Sequence, residues 1–280
     1  MHELLGNFEI GYASSSPCVS KKAADGLDGH ADFIEIPVHD DYLSRGISAS
    51  VPDWFKGFVT LHGEGETGGR RLIQFSARRK QTRSQYAENA ARLFNNASQK
   101  LGELRTRAVV VHPATLSHKY SRENQIDWFA ESLSILCDSC VVPEICVEPR
   151  GGDRQRKVVR SEIQDILSLR EALSSNGVQV GYCIDLAQTY CTHGMEAVVD
   201  LVRNCISHDL PIKEFHASDV AGASHSNRLG MEIGTGRIHF ACILGEMREL
   251  RSRLLIETIG GLPVFRRSLE CLRSLEAVIK

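Results

Sequence analysis

The chain lacks any long apolar segment. It has 280 residues, 42% hydrophobic and 24% charged, but no apolar run approaches the roughly 20 residues that a membrane-spanning helix needs. Residues 1–5 contain no basic region followed by an apolar core, so we expect no signal peptide. The sequence also has no internal repeat and no low-complexity segment. These absences argue against a membrane protein and a solenoid, and they favour a soluble, cytoplasmic protein.

An excess of charge of one sign is lacking as well. The formal net charge is −2, which gives no general attraction for nucleic acid. Basic residues cluster only locally, after the apolar run that ends at His62 and after the run that ends at Glu148. The simpler interpretation, which we adopt for most of these residues, is that they lie in solvated loops and first helical turns. The alternative hypothesis is that a few of them hold a phosphate.

Paired cysteine motifs are scarce. The chain has nine cysteines, and several lie inside apolar patterns, as Cys146, Cys183 and Cys205 do. This distribution predicts buried, reduced thiols in a cytoplasmic protein. Cys137 and Cys140 have the spacing of neighbours on a helix and no second pair nearby, so a packed helix face is favoured over a zinc or redox site.

What the chain does contain is one repeated layout, an apolar run that ends in a histidine, an aspartate or a glutamate. The clearest case is residues 141–147, which lead into Glu148 and are stopped by Pro149 and two glycines. Five other runs end in the same manner, and the full set of terminal residues is His62, His112, Glu148, Asp185, His216 and Glu257. If these runs are parallel strands of one sheet, their terminal side chains share one end of it.

Eight strand-like runs are present once those beginning at Phe8 and Asp32 are included, and the later ones alternate with amphipathic helical patterns such as residues 84–101. Alternation of this kind implies right-handed parallel strand–helix–strand units, and eight units close into a barrel. We therefore predict an α/β protein, a single (β/α)8 TIM-barrel domain over residues 1–280. An open doubly wound sheet is the alternative, but it places functional groups mainly at one switch point.

Three local signals add detail to this prediction. Ser161 and Gln164 have the spacing of a capping box that opens a helix. Asn176 and Gly177 are typical of the end of that helix. Pro37 indicates that pairing of the second strand ends there, because proline cannot donate to a sheet.

Histidines and carboxylates gathered at one rim form a mixed nitrogen and oxygen ligand set, which suits Zn2+, Mn2+ or another borderline divalent ion. Crowded carboxylates repel one another, and a divalent cation relieves that repulsion. Each residue alone has a simpler explanation: Asp185 could cap the following helix and Glu148 could pair with Arg150. Three other acids near strands are interpreted as structural: Glu35, Glu64 and Glu144.

With this ordered set of motifs the chain resembles the xylose isomerase-like TIM-barrel superfamily, over nearly its whole length. That group joins sugar isomerases and epimerases with endonuclease IV-type enzymes that cut DNA at abasic sites. The motifs that carry the resemblance are His62 in Thr-Leu-His-Gly, His112 in Val-Val-His-Pro, Glu148 in Val-Glu-Pro, Asp185 in Gly-Tyr-Cys-Ile-Asp, His216 in His-Ala-Ser-Asp, Gly234-Thr-Gly236, and Glu257 in Ile-Glu-Thr.

The resemblance implies two sets of metal ligands. The isomerase branch holds one divalent ion, here with Glu148, Asp185, His216 and Glu257. The endonuclease branch adds a zinc site that corresponds to His62, His112 and Glu148, and both sets are intact. The third zinc site of the endonuclease branch is not intact, because Gln188, Arg228 and Gly230 stand where that branch has ligands. In addition, Gly65 stands where that branch has a base-stacking tyrosine.

The resemblance therefore implies a divalent-metal-dependent isomerase or epimerase acting on a sugar or a sugar-phosphate-like hydroxy-carbonyl compound. Glu148 and Glu257 would transfer the proton next to the carbonyl through an enediolate, and three residues would contact the substrate: Arg150, Gln188 and Arg228. The alternative is an endonuclease IV-like two-metal phosphodiester hydrolase acting on DNA. A non-catalytic barrel that retains its metal is a third reading. The sequence leaves open the exact substrate, the metal (Mn2+ or Zn2+, one ion or two) and whether the chain forms a homo-oligomer.

Overall fold

The structure is a computed structural model, and it describes residues 5–16, 18–38, 49–63, 80–150, 157–222 and 229–279. Several positions discussed above lie outside these ranges, namely Glu64, Gly65 and Arg228. Within the described ranges, no helix combines the length and the apolarity needed to cross a bilayer.

Eight parallel strands form a closed barrel in which each strand pairs with the next along the chain and β8 pairs with β1. This confirms the predicted (β/α)8 architecture. The strands are β1 (Phe8–Ala13), β2 (Phe33–Val38), β3 (Phe58–Gly63), β4 (Thr106–Val111), β5 (Glu144–Val147), β6 (Gly181–Asp185), β7 (Ile212–Ala217) and β8 (Ser252–Ile256).

Helices follow most of the strands and cover the outside of the barrel with their apolar faces. The described α-helices are α1 (Lys21–Leu27), α2 (Lys80–Leu101), α3 (Arg122–Ser139), α4 (Ile163–Ser175), α5 (Leu186–Ser207), α6 (Phe240–Met247) and α7 (Leu262–Ile279). In α2 the buried alanines and Phe94 recur at helical spacing, as the sequence predicted. All nine cysteines are free thiols, and Cys146, Cys183 and Cys205 are buried.

The predicted capping box of α4 is wrong. The helix begins at Ile163, and its N-cap residue is Glu162, which makes no side-chain capping bond. The Ser161 hydroxyl instead donates to the carbonyl of Pro149 at 2.8 Å, so it ties the segment before α4 to the end of β5. The predicted end of α4 is confirmed, because Asn176 is the C-cap residue and Gly177 has a φ of 69°.

The prediction for Pro37 holds on one side of β2 only. Pairing with β1 ends at Glu35, two residues before the proline. Pairing with β3 continues, because Pro37 lies opposite His62 and Val38 lies opposite Gly63. β2 is therefore held by a single neighbour beyond Glu35.

The barrel interior contains both apolar and buried polar side chains. Phe33, Phe58 and Leu255 pack together inside, and the rings of Phe33 and Phe58 stack with centroids 5.1 Å apart. The interior of most TIM barrels is dominated by Val, Ile and Leu. Here, however, several buried interior residues are charged or polar, namely Glu35, Thr60, Glu214 and Arg253. Polar groups at this depth need partners, and they lie directly beneath the strand ends where the site forms.

Candidate metal centre

The six predicted residues are carried to one rim of the barrel by six different strands. His62, Asp185 and His216 lie within the last residues of β3, β6 and β7. The other three follow β4, β5 and β8 directly: His112, Glu148 and Glu257. Asp185 and His216 are paired neighbours in adjacent strands. Since all strands are parallel, these side chains meet at the carboxyl end, as the repeated layout predicted.

Glu148 is the centre of this group, and its side chain is completely buried. Its Oε2 atom lies 3.2 Å from Nε2 of His62, 3.5 Å from Nδ1 of His112 and 3.6 Å from Nδ1 of His216. None of these four buried atoms has a hydrogen-bond partner of acceptable geometry. Four unsatisfied nitrogen and oxygen atoms converging on one point are what a divalent cation would satisfy, so the residues present fit such an ion.

Glu257 and Asp185 complete the rim. Oε2 of Glu257 lies 3.6 Å from Nδ1 of His216, and its side chain is 40% exposed. Oδ1 of Asp185 accepts from the backbone N–H of Gln188 at 2.9 Å, so Asp185 caps α5, as its simpler explanation suggested. The cap uses only one of the two carboxylate oxygens of Asp185. Asp185 and Glu257 both line a cavity of 410 Å³ at the mouth of the barrel. A larger cavity of 1090 Å³ lies away from the six rim residues, around Asp32 and Arg105.

The carboxylates at this rim are electrostatically crowded. Although 40% of the Glu257 side chain is exposed, its carboxylate lies at the crowded mouth of the barrel, and loss of hydration there raises its pKa to about 7. His216 opposes this rise in pKa, whereas Asp185 and Glu148 add to it. Burial and the charge of Glu148 also raise the pKa of Asp185 above its ordinary value. Burial acts in the same direction on Glu148, but His112 and Arg150 hold its pKa well below the ordinary value. A divalent cation would relieve the repulsion that Glu257 and Asp185 experience.

The surroundings of His62 and His112 shift their pKa values in opposite directions. Burial lowers the pKa of His62, but Glu35 and Glu148 outweigh it and raise the value to about 9. Burial and the nearby Arg150 guanidinium lower the pKa of His112 well below its ordinary value. Burial and Arg150 thus favour the uncharged ring of His112, the form that binds a cation, whereas a cation must displace a proton from His62.

Sequence reasoning missed the polar residues beneath the rim. Glu35, interpreted as structural, is buried with Oε1 3.3 Å from Nδ1 of His62. Glu214 has Oε1 3.5 Å from Nε2 of His216, and the Cys183 sulfur groups with Glu148 and His216, with potential ligand atoms within 4.8 Å of one another. The signal was present, because strand residues two positions apart share a face: Cys183 precedes Asp185, and Glu214 precedes His216, by two.

The three predicted substrate contacts have different outcomes. Arg150 is close to the centre, with Nε 3.3 Å from Oε1 of Glu148. Gln188 lines the rim cavity beside Asp185 and Glu257. Arg228 lies outside the described residues.

Comparison with known proteins identifies chains of the same fold and the family of this one. Among solved structures, a D-tagatose 3-epimerase-like protein matches 97% of this chain and 98% of its own with 16% identity and a TM-score of 0.69. The 3-keto-D-glucoside 4-epimerase YcjR from E. coli matches 95% of this chain and 99% of its own with 14% identity and a TM-score of 0.60. The IOLI protein with a bound zinc atom matches 97% and 96% with 14% identity and a TM-score of 0.63.

At these identities the structural matches establish the fold alone. No curated protein is a significant sequence match to the chain. A family model described as xylose isomerase-like TIM barrel matches residues 32–275, which is most of the sequence. The chain therefore belongs to the xylose isomerase-like TIM-barrel family.

Proposed function

We propose that this protein is a divalent-metal-dependent isomerase or epimerase that acts on a sugar or a sugar-phosphate-like hydroxy-carbonyl compound. The observation that carries the proposal is the position of His216 Nδ1, which lies 3.6 Å from a carboxylate oxygen of both Glu148 and Glu257. Two carboxylates that meet at one histidine nitrogen, at the mouth of the barrel, suit metal binding combined with paired proton transfer.

Four residues would hold the ion: Glu148, Asp185, His216 and Glu257. Their mixed nitrogen and oxygen set suits Zn2+ or Mn2+. When bound, the ion would supply Lewis-acid stabilisation of the negative charge that develops on the substrate oxygens.

The side chains of the protein would perform the proton transfers. Glu257 is partly exposed and lines the rim cavity, so its carboxylate can reach a substrate there and take and return a proton. Glu148 would serve the other face of the substrate, with Arg150 holding Oε1 in place at 3.3 Å. Gln188 lines the rim cavity, and the partly exposed Arg150 would hold a phosphate bidentately.

The structural relatives support this reaction class over others. Two of the matched proteins are named as epimerases of sugars or sugar derivatives, and a third is named with a zinc atom. The substrates in these names are those of the matched proteins. For this chain, the matches favour only the reaction class, because the loops of a barrel determine which sugar is bound.

Deuterium exchange tests the proposal. Metal-loaded protein is incubated in D2O with a panel of aldoses, ketoses and their phosphates, and NMR follows exchange at the carbon next to the carbonyl. We expect exchange with at least one compound, and its loss in Glu257→Gln and Glu148→Gln. Glu246→Gln is the control, because Glu246 pairs with Arg203 on the outer helices. Failure of every compound at full metal occupancy would contradict the proposal.

One observation favours the alternative, a two-metal phosphodiester hydrolase acting on DNA. His62, His112 and Glu148 place potential ligand atoms within 4.8 Å of one another, as a further metal ion would require. Metal analysis separates the two functions. One ion per chain, retained in His62→Ala, supports the isomerase. Two ions, together with salt-sensitive nicking of abasic DNA, would reverse the ranking.

A further inference from the structure

We propose that Glu35 is a positioning residue that orients His62 and His216 toward the metal centre from beneath, and thereby sets the metal affinity of the centre. The inference deepens the proposed function and depends on the metal site proposed there. Glu35 lies on β2, one of the two strands that contribute none of the six rim residues.

The two histidines lie between the same pair of carboxylates. Oε1 of Glu35 is 3.3 Å from Nδ1 of His62, and its Oε2 is 3.6 Å from Nε2 of His216. On the opposite side of each ring, the other nitrogen faces Oε2 of Glu148, at 3.2 Å for His62 and 3.6 Å for His216. His62 therefore presents one nitrogen to Glu35 and the other to the metal centre. His216 does the same, although its lower nitrogen, Nε2, is shared between Glu35 and Oε1 of Glu214 at 3.5 Å.

This arrangement decides which nitrogen carries the hydrogen once a cation binds. An ionised carboxylate only accepts hydrogen bonds, so the nitrogen that faces Glu35 must be the N–H. The nitrogen on the other side of each ring then presents its lone pair to the centre. A ligand histidine commonly has its other N–H held by such a carboxylate, which fixes the ring orientation and makes the ring a stronger donor.

The geometry allows one carboxylate to serve both rings. The rings of His62 and His216 meet edge to face, with centroids 5.4 Å apart and an interplanar angle of 83°. Glu35 is 2% exposed and is steadied by Thr60, whose hydroxyl donates to Oε2 at 3.4 Å. A single buried side chain thus contacts a histidine from each of the two implied metal positions.

Glu35 differs from Glu214, the other acid beneath the rim, in the groups that balance its charge. Oε2 of Glu214 accepts from Nε of Arg253 at 2.7 Å, so an arginine already balances its charge. Among the described residues no arginine or lysine forms an ion pair with Glu35, and its ionic contacts are His62 and His216. The charge of a buried carboxylate needs a partner, and here the only ionic partners among the described residues are two imidazoles. We therefore expect Glu35 to accept hydrogen bonds from these rings and to fix their orientation.

Metal titration tests the inference without relying on activity. Metal-free full-length protein is titrated with Zn2+ against a competing chelator, and Co2+ is substituted to record its visible absorption spectrum. We expect Glu35→Gln to weaken Zn2+ binding by roughly 10- to 100-fold and to alter the Co2+ spectrum, because the amide offers N–H groups to one of the rings. Glu35→Asp, which keeps the charge, should recover part of the affinity.

Glu276→Gln is the matched control. Glu276 is also a buried glutamate, on α7, where Oε1 accepts from the backbone N–H of Leu5 at 3.1 Å. This variant should keep the wild-type affinity and spectrum, whatever its effect on stability. Wild-type affinity and spectrum in folded Glu35→Gln would overturn this inference and leave the proposed function intact. A wild-type protein that binds no divalent ion would overturn both.

Discussion

Arg253 donates from Nε to Oε2 of Glu214 at 2.7 Å inside the barrel, beneath the candidate metal centre. Both side chains are buried, and the arginine also reaches Oε1 of Glu144 at 2.5 Å. The pair links the lower end of the barrel to His216, whose Nε2 lies 3.5 Å from the other oxygen of Glu214. A charged ladder thus occupies part of an interior that hydrophobic side chains fill in most barrels of this kind.

The pair yields a prediction about stability. Arg253→Leu leaves Glu214 buried without its counter-ion, so we expect the free energy of unfolding to fall by about 3–5 kcal/mol. Chemical denaturation followed by circular dichroism measures this loss. The double variant Arg253→Leu/Glu214→Leu should lose less than the sum of the two single variants. A loss below about 1 kcal/mol in Arg253→Leu would contradict this account.

The raised pKa of Glu257, about 7, predicts how metal affinity depends on pH. Below that value the carboxylate holds a proton that a cation must displace, so affinity should fall as pH falls from 7 to 5. Removing this one proton in Glu257→Gln should reduce the slope of log affinity against pH by about one in that window. Zn2+ titrations at several pH values measure the slope, and Glu276→Gln should keep it. Equal slopes in wild type and Glu257→Gln would contradict the assignment.

His62 predicts the pH dependence of stability in the metal-free protein. Its pKa rises from 6.5 to about 9 on folding, so the folded state binds this proton more tightly than the unfolded state. The resulting stabilisation is fully present below pH 6.5 and is lost as pH rises through about 9. We expect the melting temperature to fall between these pH values, and to fall less in His62→Gln.

The control for this experiment is His208→Gln, an exposed residue at the end of α5. It should reproduce the wild-type change in melting temperature. If the melting temperature of metal-free His62→Gln falls with pH as much as that of the wild type, His62 does not have this role.

Gly11 predicts a packing effect among the apolar side chains of the interior. The Phe33 ring occupies the position that a Cβ atom at residue 11 would take. Gly11→Ala should therefore displace the ring and lower the free energy of unfolding by about 1–3 kcal/mol. The matched control is Gly245→Ala in α6, where a Cβ atom meets no neighbour and alanine favours the helix by about 1 kcal/mol. Denaturation curves should shift in opposite directions, and a neutral Gly11→Ala would contradict the packing.

Most of the architecture could be predicted from local patterns. Each strand is a short apolar run, and the residue that ends it, such as His62 or Asp185, is visible beside that run. The helix end at Gly177 was also predictable, because a left-handed backbone favours glycine. Ser161 was misjudged, because a capping-box hydroxyl accepts from a backbone N–H of its own helix. This hydroxyl instead donates to the carbonyl of Pro149, which only the folded loop brings within reach.

The sequence by itself determined the order of the strands and helices and the residues that stand at each strand end, because these depend on neighbours along the chain. Only the tertiary structure decided that Oε2 of Glu148 meets His62, His112 and His216, and that Glu35 lies beneath two of them. Those contacts join strands far apart in sequence. They depend on the stagger of neighbouring strands and on which face of each strand turns inward when the barrel closes.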